Sequence, residues 1–328
     1  MKARWFSLIP TLVLPVFATL ASAHSAQQNA TSLGAPAPVA QIYYSSFNGS
    51  EWADARDVPE AVSSTSPALA EYLFDLYMVW TGAGADTSLY YNYFDGASWT
   101  PVRRVPEAAA GSGPALAVYL GDLYAFWMGP GGASGVGRDT DTGRAIYYAS
   151  LDGSIWTAAQ RIPGIETGSA PALCEYLGDL YMFWTGGGKT GIYYATFDGA
   201  GWSAQRKVPG AASSGTPALA EYLGRMYVFW RGVDSNASIY YSYFDASGWT
   251  AVHRVPEAAT GSGPQLAEFL GDLYLIWRGP GADPDIYESY FNGVEWTIPD
   301  ATGFKTTTAP GVSLYPGALY MAWPQAPQ

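Results

Sequence analysis

One frame of residues recurs six times along this chain of 328 residues. It reads Ile-Tyr-Tyr, then Phe-Asp-Gly-x-x-Trp, Val-Pro, Pro-Ala-Leu-Ala and Leu-Tyr-x-x-Trp. The last tryptophan of the frame stands at Trp80, Trp127, Trp184, Trp230, Trp277 and Trp323. These are 46 or 47 residues apart, except for the 57 between Trp127 and Trp184. A residue type that returns once per unit is a scaffold part or a multiplied binding site, not a unique catalyst.

Each unit divides into four short segments separated by turn chemistry. In one unit these are Pro67–Tyr72, Leu76–Trp80, Leu89–Phe94 and Trp99–Val105, with Asp95-Gly96 between the last two. Segments this short and this rich in Tyr, Val, Leu and Trp read as strands, and Asp-Gly is a hairpin signal. Four strands in a unit of about 40 to 50 residues make a propeller blade, so the expected fold is an all-β, six-bladed β-propeller. Naming the strands A to D from the axis outward, the chain opens on C and D (Ile42 to Val58). It closes on A and B (Pro310 to Trp323). Joined, these halves complete one split blade, which closes the ring and removes two exposed sheet edges.

The first residues carry Lys2 and Arg4, an apolar run from Phe6 to Leu20, and Ala21-Ser22-Ala23. That pattern predicts a signal peptide over residues 1–23 and a secreted protein beginning at His24. Residues 24–41, rich in Ala, Ser, Gln and Pro, read as a disordered leader, 42–323 as the propeller and 324–328 as a tail. No later stretch is apolar enough to span a bilayer, so membrane insertion is not expected. With 16 basic and 28 acidic residues the net charge is −12, which disfavours nucleic acid and anionic lipid as partners. Neutral ligands are untouched by that argument. Cys174, the single cysteine, takes the place of the last Ala in Pro-Ala-Leu-Ala and reads as a small strand residue without a disulfide. His24 could form a copper brace only with a second histidine. His253 lies on an outer strand, at a position held by Arg103, Gln160 and Arg206 in other repeats, and reads as solvated surface.

The turn between C and D reads Phe94-Asp95-Gly96-Ala97-Ser98-Trp99 and Phe197-Asp198-Gly199-Ala200-Gly201-Trp202, with Asn at Asn48 and Asn292. It resembles a shortened Asp-box, the hairpin turn of sialidase-type propellers. The repeats are also similar to those of secreted six- and seven-bladed propeller lectins, fucose-specific ones included. The resemblance implies that Asp95, Asp152, Asp198 and Asp245 form turns. It implies too that Trp52, Trp99, Trp156, Trp202, Trp249 and Trp296 pack the outer strand. A sialidase would need three convergent arginines, whereas Arg104, Arg161 and Arg254, with Lys207, recur at one outer strand position. Hydrolysis of a glycoside also needs two acids facing each other, and the acids here are mostly repeat-equivalent. The expected function is multivalent binding of glycans or glycoconjugates, without catalysis or cofactor. A sialidase-like hydrolase and a protein-interaction propeller stand as alternatives.

The topology gathers loops B–C and D–A on one face, which varies most between repeats, and binding on a rigid scaffold resides where loops vary. The expected sugar site is therefore the end of each B strand: Trp80, Trp127, Trp184, Trp230, Trp277 and Trp323. Beside them come Arg231 and Arg278, with Glu60, Glu107, Glu166 and Glu257 from the D–A side. An indole flanked by charged groups suits a sugar, stacking on its C–H face while the charges bond its hydroxyls. The same tryptophans share a strand face with Leu76 and Met78, which equally fits packing between blades. One loop departs from the rest, with 18 residues between Trp127 and Ile146 where other repeats have 7 or 8. Its Asp139 and Asp141, followed by Gly143, resemble the first half of a calcium loop, though no Glu completes it.

Overall fold

In a computed structural model the protein is described over residues 40–131 and 144–326, and among these residues it forms 24 strands and no helix. Strands β1 (Ala40–Phe47) and β2 (Arg56–Ser63) begin the chain's path. Blade 1 is β3 (Ala68–Tyr72), β4 (Asp75–Thr81), β5 (Ser88–Phe94) and β6 (Arg103–Ala109). Blade 2 is β7 (Ala115–Tyr119), β8 (Asp122–Met128), β9 (Ala145–Leu151) and β10 (Gln160–Glu166). Blade 3 is β11 (Ala172–Tyr176), β12 (Asp179–Thr185), β13 (Gly191–Phe197) and β14 (Arg206–Ala212). Blade 4 is β15 (Ala218–Tyr222), β16 (Arg225–Arg231), β17 (Ser238–Phe244) and β18 (His253–Ala259). Blade 5 is β19 (Gln265–Phe269), β20 (Asp272–Arg278), β21 (Asp285–Phe291) and β22 (Asp300–Lys305). The closing blade adds β23 (Gly311–Tyr315) and β24 (Ala318–Pro324), ordered β2-β1-β24-β23.

The split blade is therefore present. β1 pairs antiparallel with β24 from Ile42↔Pro324 to Phe47↔Leu319. The innermost strands of neighbouring blades face one another around the axis. Buried apolar side chains form six clusters, and each spans the interface between two successive blades. One joins Tyr77 and Val79 of blade 1 to Leu123, Ala125 and Trp127 of blade 2. The core thus lies between blades rather than within any one of them.

Three local devices hold this geometry. In the C–D turns, Asp95 Oδ1 accepts the N–H groups of Ala97 and Ser98 at 2.8 Å, and Asp152, Asp198, Asn48 and Asn292 repeat the pattern. Those backbone bonds hold the Asp95, Asp152 and Asp198 carboxyls below the usual range. These residues are turn formers. Five of the six A–B turns have two residues at positive φ, such as Leu120 (50°) and Gly121 (90°), the type that matches the twist of a hairpin; in the closing blade only Gly317 does. Finally, the tyrosines ending the A strands reach across. Tyr119 Oη donates to the carbonyl of Gly178 at 3.0 Å, Tyr176 to Gly224 and Tyr222 to Gly271, each in the next blade's A–B turn.

Candidate functional site

The six B-strand tryptophans correct the expected site. Trp80, Trp127, Trp184, Trp230, Trp277 and Trp323 are 0–2% exposed. Trp80 lies against Tyr90, Trp127 against Tyr147 and Trp323 against Phe304, with no ring face left for a ligand. The period-two strand turns them toward the neighbouring blade, and burial of so large an apolar surface outweighs any role at the rim.

Arg231 and Arg278 are corrected likewise. The Arg231 guanidinium donates to the carbonyls of Thr260 (3.0 Å) and Asp234 (2.8 Å) and to the Ser214 hydroxyl (2.7 Å). Arg278 donates to the carbonyls of Thr306 and Gly281. At the same position Thr81 and Thr185 donate to the carbonyls of Ser112 and Gly215 at 2.7 Å. In these four repeats the position is a tether for the D–A linker; Met128 and Pro324 hold it in the other two. Glu60, Glu107 and Glu257 lie in strand D at a bulge, exposed and with φ of 54–61°, not in the D–A loops. Glu166 is not their equivalent; it ends β10 opposite Ala145. Asp139 and Asp141, the calcium candidates, lie outside the described residues, as do His24 and the signal sequence. Among the described residues no cluster of His, Cys, Asp and Glu is arranged for a metal.

Two cavities bear on binding. The larger, about 580 Å³, occupies the ring axis and is lined by hydroxyl, proline, alanine and leucine residues such as Ser66, Ser112, Thr216 and Leu116. Its lining holds no charged or aromatic side chain. The second, about 190 Å³, lies between blades 3 and 4. Asp179, Tyr181, Tyr194, Thr196, Ser203 and Arg206 supply one wall, and Met226, Phe244 and Trp249 of the next blade the other. It sits toward the A–B and C–D turns, the side opposite to the one expected.

This pocket's framework of paired side chains recurs at other blade junctions. Tyr194 is paired across strands with Arg206, Tyr91 with Arg103, and Tyr44 with Arg56. Each of these tyrosines meets the edge of a turn tryptophan from the following blade. Ring centroids are 5.8 Å apart for Tyr194–Trp249, 5.6 Å for Tyr91–Trp156 and 5.5 Å for Tyr44–Trp99. The turn tryptophans thus pack between blades, beyond their own outer strand. The indole N–H groups of Trp99, Trp156, Trp202, Trp249 and Trp296 are buried without a partner among the described residues, whereas Trp52 donates to Glu288. Burial raises the phenol pKa of Tyr181, Tyr227 and Tyr241, and pushes Tyr77 and Tyr274 up to about 12. These phenols stay neutral hydrogen-bonding groups. The position of Arg103, Gln160, Arg206 and His253 was read from sequence as plain surface, and at Arg206 it is a pocket wall.

No protein-family model matches the chain, nor does any curated protein sequence. By structure it is similar to the fungal Aleuria aurantia lectin. One structure, in complex with Fucα1-6GlcNAc, superposes with a TM-score of 0.57 at 12% identity over 80% of this chain and 88% of that one. A second, described as a six-bladed propeller with a novel fucose recognition mode, gives 0.55 at 13% identity over 77% and 84%. SapL1 lectin in complex with α-methyl fucoside gives 0.52 at 15% identity over 75% and 83%. The chain has the fold of these fucose lectins. At such identities the likeness extends to the architecture and not to any ligand contact.

Proposed function

We propose that this protein is a secreted, multivalent carbohydrate-binding propeller whose sugar sites are the pockets between blades. The observation that carries this reading is the pocket between blades 3 and 4, where Trp249 and Tyr194 stand beside Arg206 and Asp179. Aromatic rings take the apolar face of a pyranose, while a guanidinium and a carboxylate bond its hydroxyls. Several such pockets on one rigid ring raise weak single-site affinity through avidity. Secretion is supported by the signal-like sequence ending at Ala23. Fucosides, the ligands in the similar lectin structures, are the first sugars to test.

A glycan array followed by calorimetric titration of the best sugar tests the reading. Several sites per chain are expected, and Arg206→Ala should remove one of them with the melting temperature unchanged. Binding to no glycan, or a single site unaffected by Arg206, Arg103 and Arg56 substitutions, would overturn it.

A further inference from the structure

The junctions between blades repeat the strand positions that build the pocket between blades 3 and 4, and they differ in charge. Two positions set the difference: the first residue of strand B and the first residue of strand D. Between blades 3 and 4 these are Asp179 and Arg206, and between blades 1 and 2 Asp75 and Arg103, one charge of each sign. Between blades 2 and 3 they are Asp122 and Gln160. Between blade 5 and the closing blade they are Asp272 and Asp300, and Glu288 replaces the strand C tyrosine. Between blades 4 and 5 the acid is gone. Arg225 stands in place of aspartate and His253 in place of Arg206.

From this we infer that the pocket between blades 4 and 5 takes a saccharide bearing a carboxylate, in a protein whose other pockets are neutral or acidic apart from the Arg56 one. The inference rests on the reading that the inter-blade pockets bind sugars. Arg225, Tyr227 and Phe229 share one face of strand B, and Tyr243, Tyr241 and His253 are paired to that same face. The Arg225 guanidinium carbon lies 4.8 Å from the Tyr243 ring centre, and the His253 ring stacks on Tyr241 at 5.1 Å. Tyr227 bridges the two tyrosines, 5.0 Å from Tyr243 and 6.3 Å from Tyr241. The opposite wall is Trp296 of blade 5, edge-on to Tyr241 at 6.1 Å and to Phe229 at 5.7 Å. A stack of aromatic rings is thus flanked by a guanidinium at one end and an imidazole donor at the other.

Neither Arg225 nor His253 forms an ion pair among the described residues. Asp245, the carboxylate that acts on Arg225, is itself engaged by the hydroxyl and N–H of Ser247. Arg225 also bonds the phenol of Tyr227 on the same strand face, and a guanidinium has five N–H donors, so those left over can meet a carboxylate in a two-point fork. The net charge of −12 does not forbid this, because at physiological salt charges more than about 8 Å apart are largely screened.

The test uses the full chain and three probes: methyl β-glucuronide, the methyl glycoside of N-acetylneuraminic acid, and methyl β-glucoside as the neutral control. Binding is read by calorimetry and by tryptophan fluorescence. At least one acidic glycoside should bind tenfold or more tightly than the neutral control. Arg225→Asp should abolish that preference and Arg225→Gln weaken it, while a neutral sugar bound through Arg206 keeps its affinity. A melting curve for each variant shows that the ring is intact. Neutral sugars binding normally while acidic ones show no preference, or a preference indifferent to both Arg225 variants, would overturn this inference alone. Binding of no sugar of either kind would overturn it together with the reading of the inter-blade pockets.

Discussion

The indole N–H of Trp52 donates to Glu288 Oε2 at 3.0 Å, tying the first C–D turn of the chain to strand C of the fifth blade. Desolvation pushes the Glu288 carboxyl above its ordinary value, Asp300 adds to the rise, and the Trp52 hydrogen bond opposes it. A carboxyl raised in the folded state favours folding while protonated. That stability is lost as pH climbs from the unfolded value through the folded one. Glu288→Gln keeps an acceptor for Trp52 and removes the titration. The variant should melt higher than the parent at neutral pH, by about 1 kcal/mol, with the gap closing toward about pH 4. Equal melting at neutral pH, or a gap that widens in acid, contradicts the assignment.

The two classes of tryptophan should separate by mutation. Trp80→Ala opens a cavity in the interface between blades and should cost about 3–5 kcal/mol in denaturant unfolding. Trp249→Ala, at a partly exposed pocket wall, should cost less and remove sugar binding at one pocket. If Trp80→Ala folds normally and loses binding instead, the sites lie at the rim after all.

Phe74 holds a φ of 68° at 85% exposure, in the turn position where other blades have Gly121, Gly178, Gly224 and Gly271. The left-handed region costs a bulky residue about 1–2 kcal/mol, which exceeds the extra backbone entropy of a glycine, about 0.5–1 kcal/mol. Phe74→Gly is therefore expected to raise the melting temperature by a degree or two. A fall would show that the exposed ring makes a stabilising contact.

Ending the chain after Thr308 deletes β23 and β24 and leaves β1 paired with β2 alone. The remaining blades should unfold over a broad range and aggregate through the open edges. A sharp transition at the parent temperature, followed by calorimetry, would show that five blades close by themselves.

The ring was legible because each unit repeats its turn residues and its strand period, and because Ile42 to Val58 and Pro310 to Trp323 are visibly complementary halves. The site was less so. Period two places Trp80, Met78 and Leu76 on one face, but whether that face meets solvent or another blade depends on the neighbour's tilt. Arg103, Gln160, Arg206 and His253 share one repeat position, and repetition on an outer strand was read as solvation. The turn tryptophan that makes this position a pocket wall comes from the following blade, as Trp156 does for Tyr91. The usable signal was a residue that changes charge from repeat to repeat opposite a tyrosine that is kept in every repeat but the one with Glu288.

Because Ile42 lies beside Pro324, the two ends of the propeller segment emerge from adjacent strands of one sheet. A short linker joining them, with a new break in the D–A connection between blades 3 and 4, would yield a permuted chain in which every blade is contiguous. Its strand pairings would all lie within contiguous blades, and the long-range pairing of β1 with β24 would become a local one, leaving ring closure to packing between the first and last blades. The ring itself has no first blade; this chain enters it halfway through one.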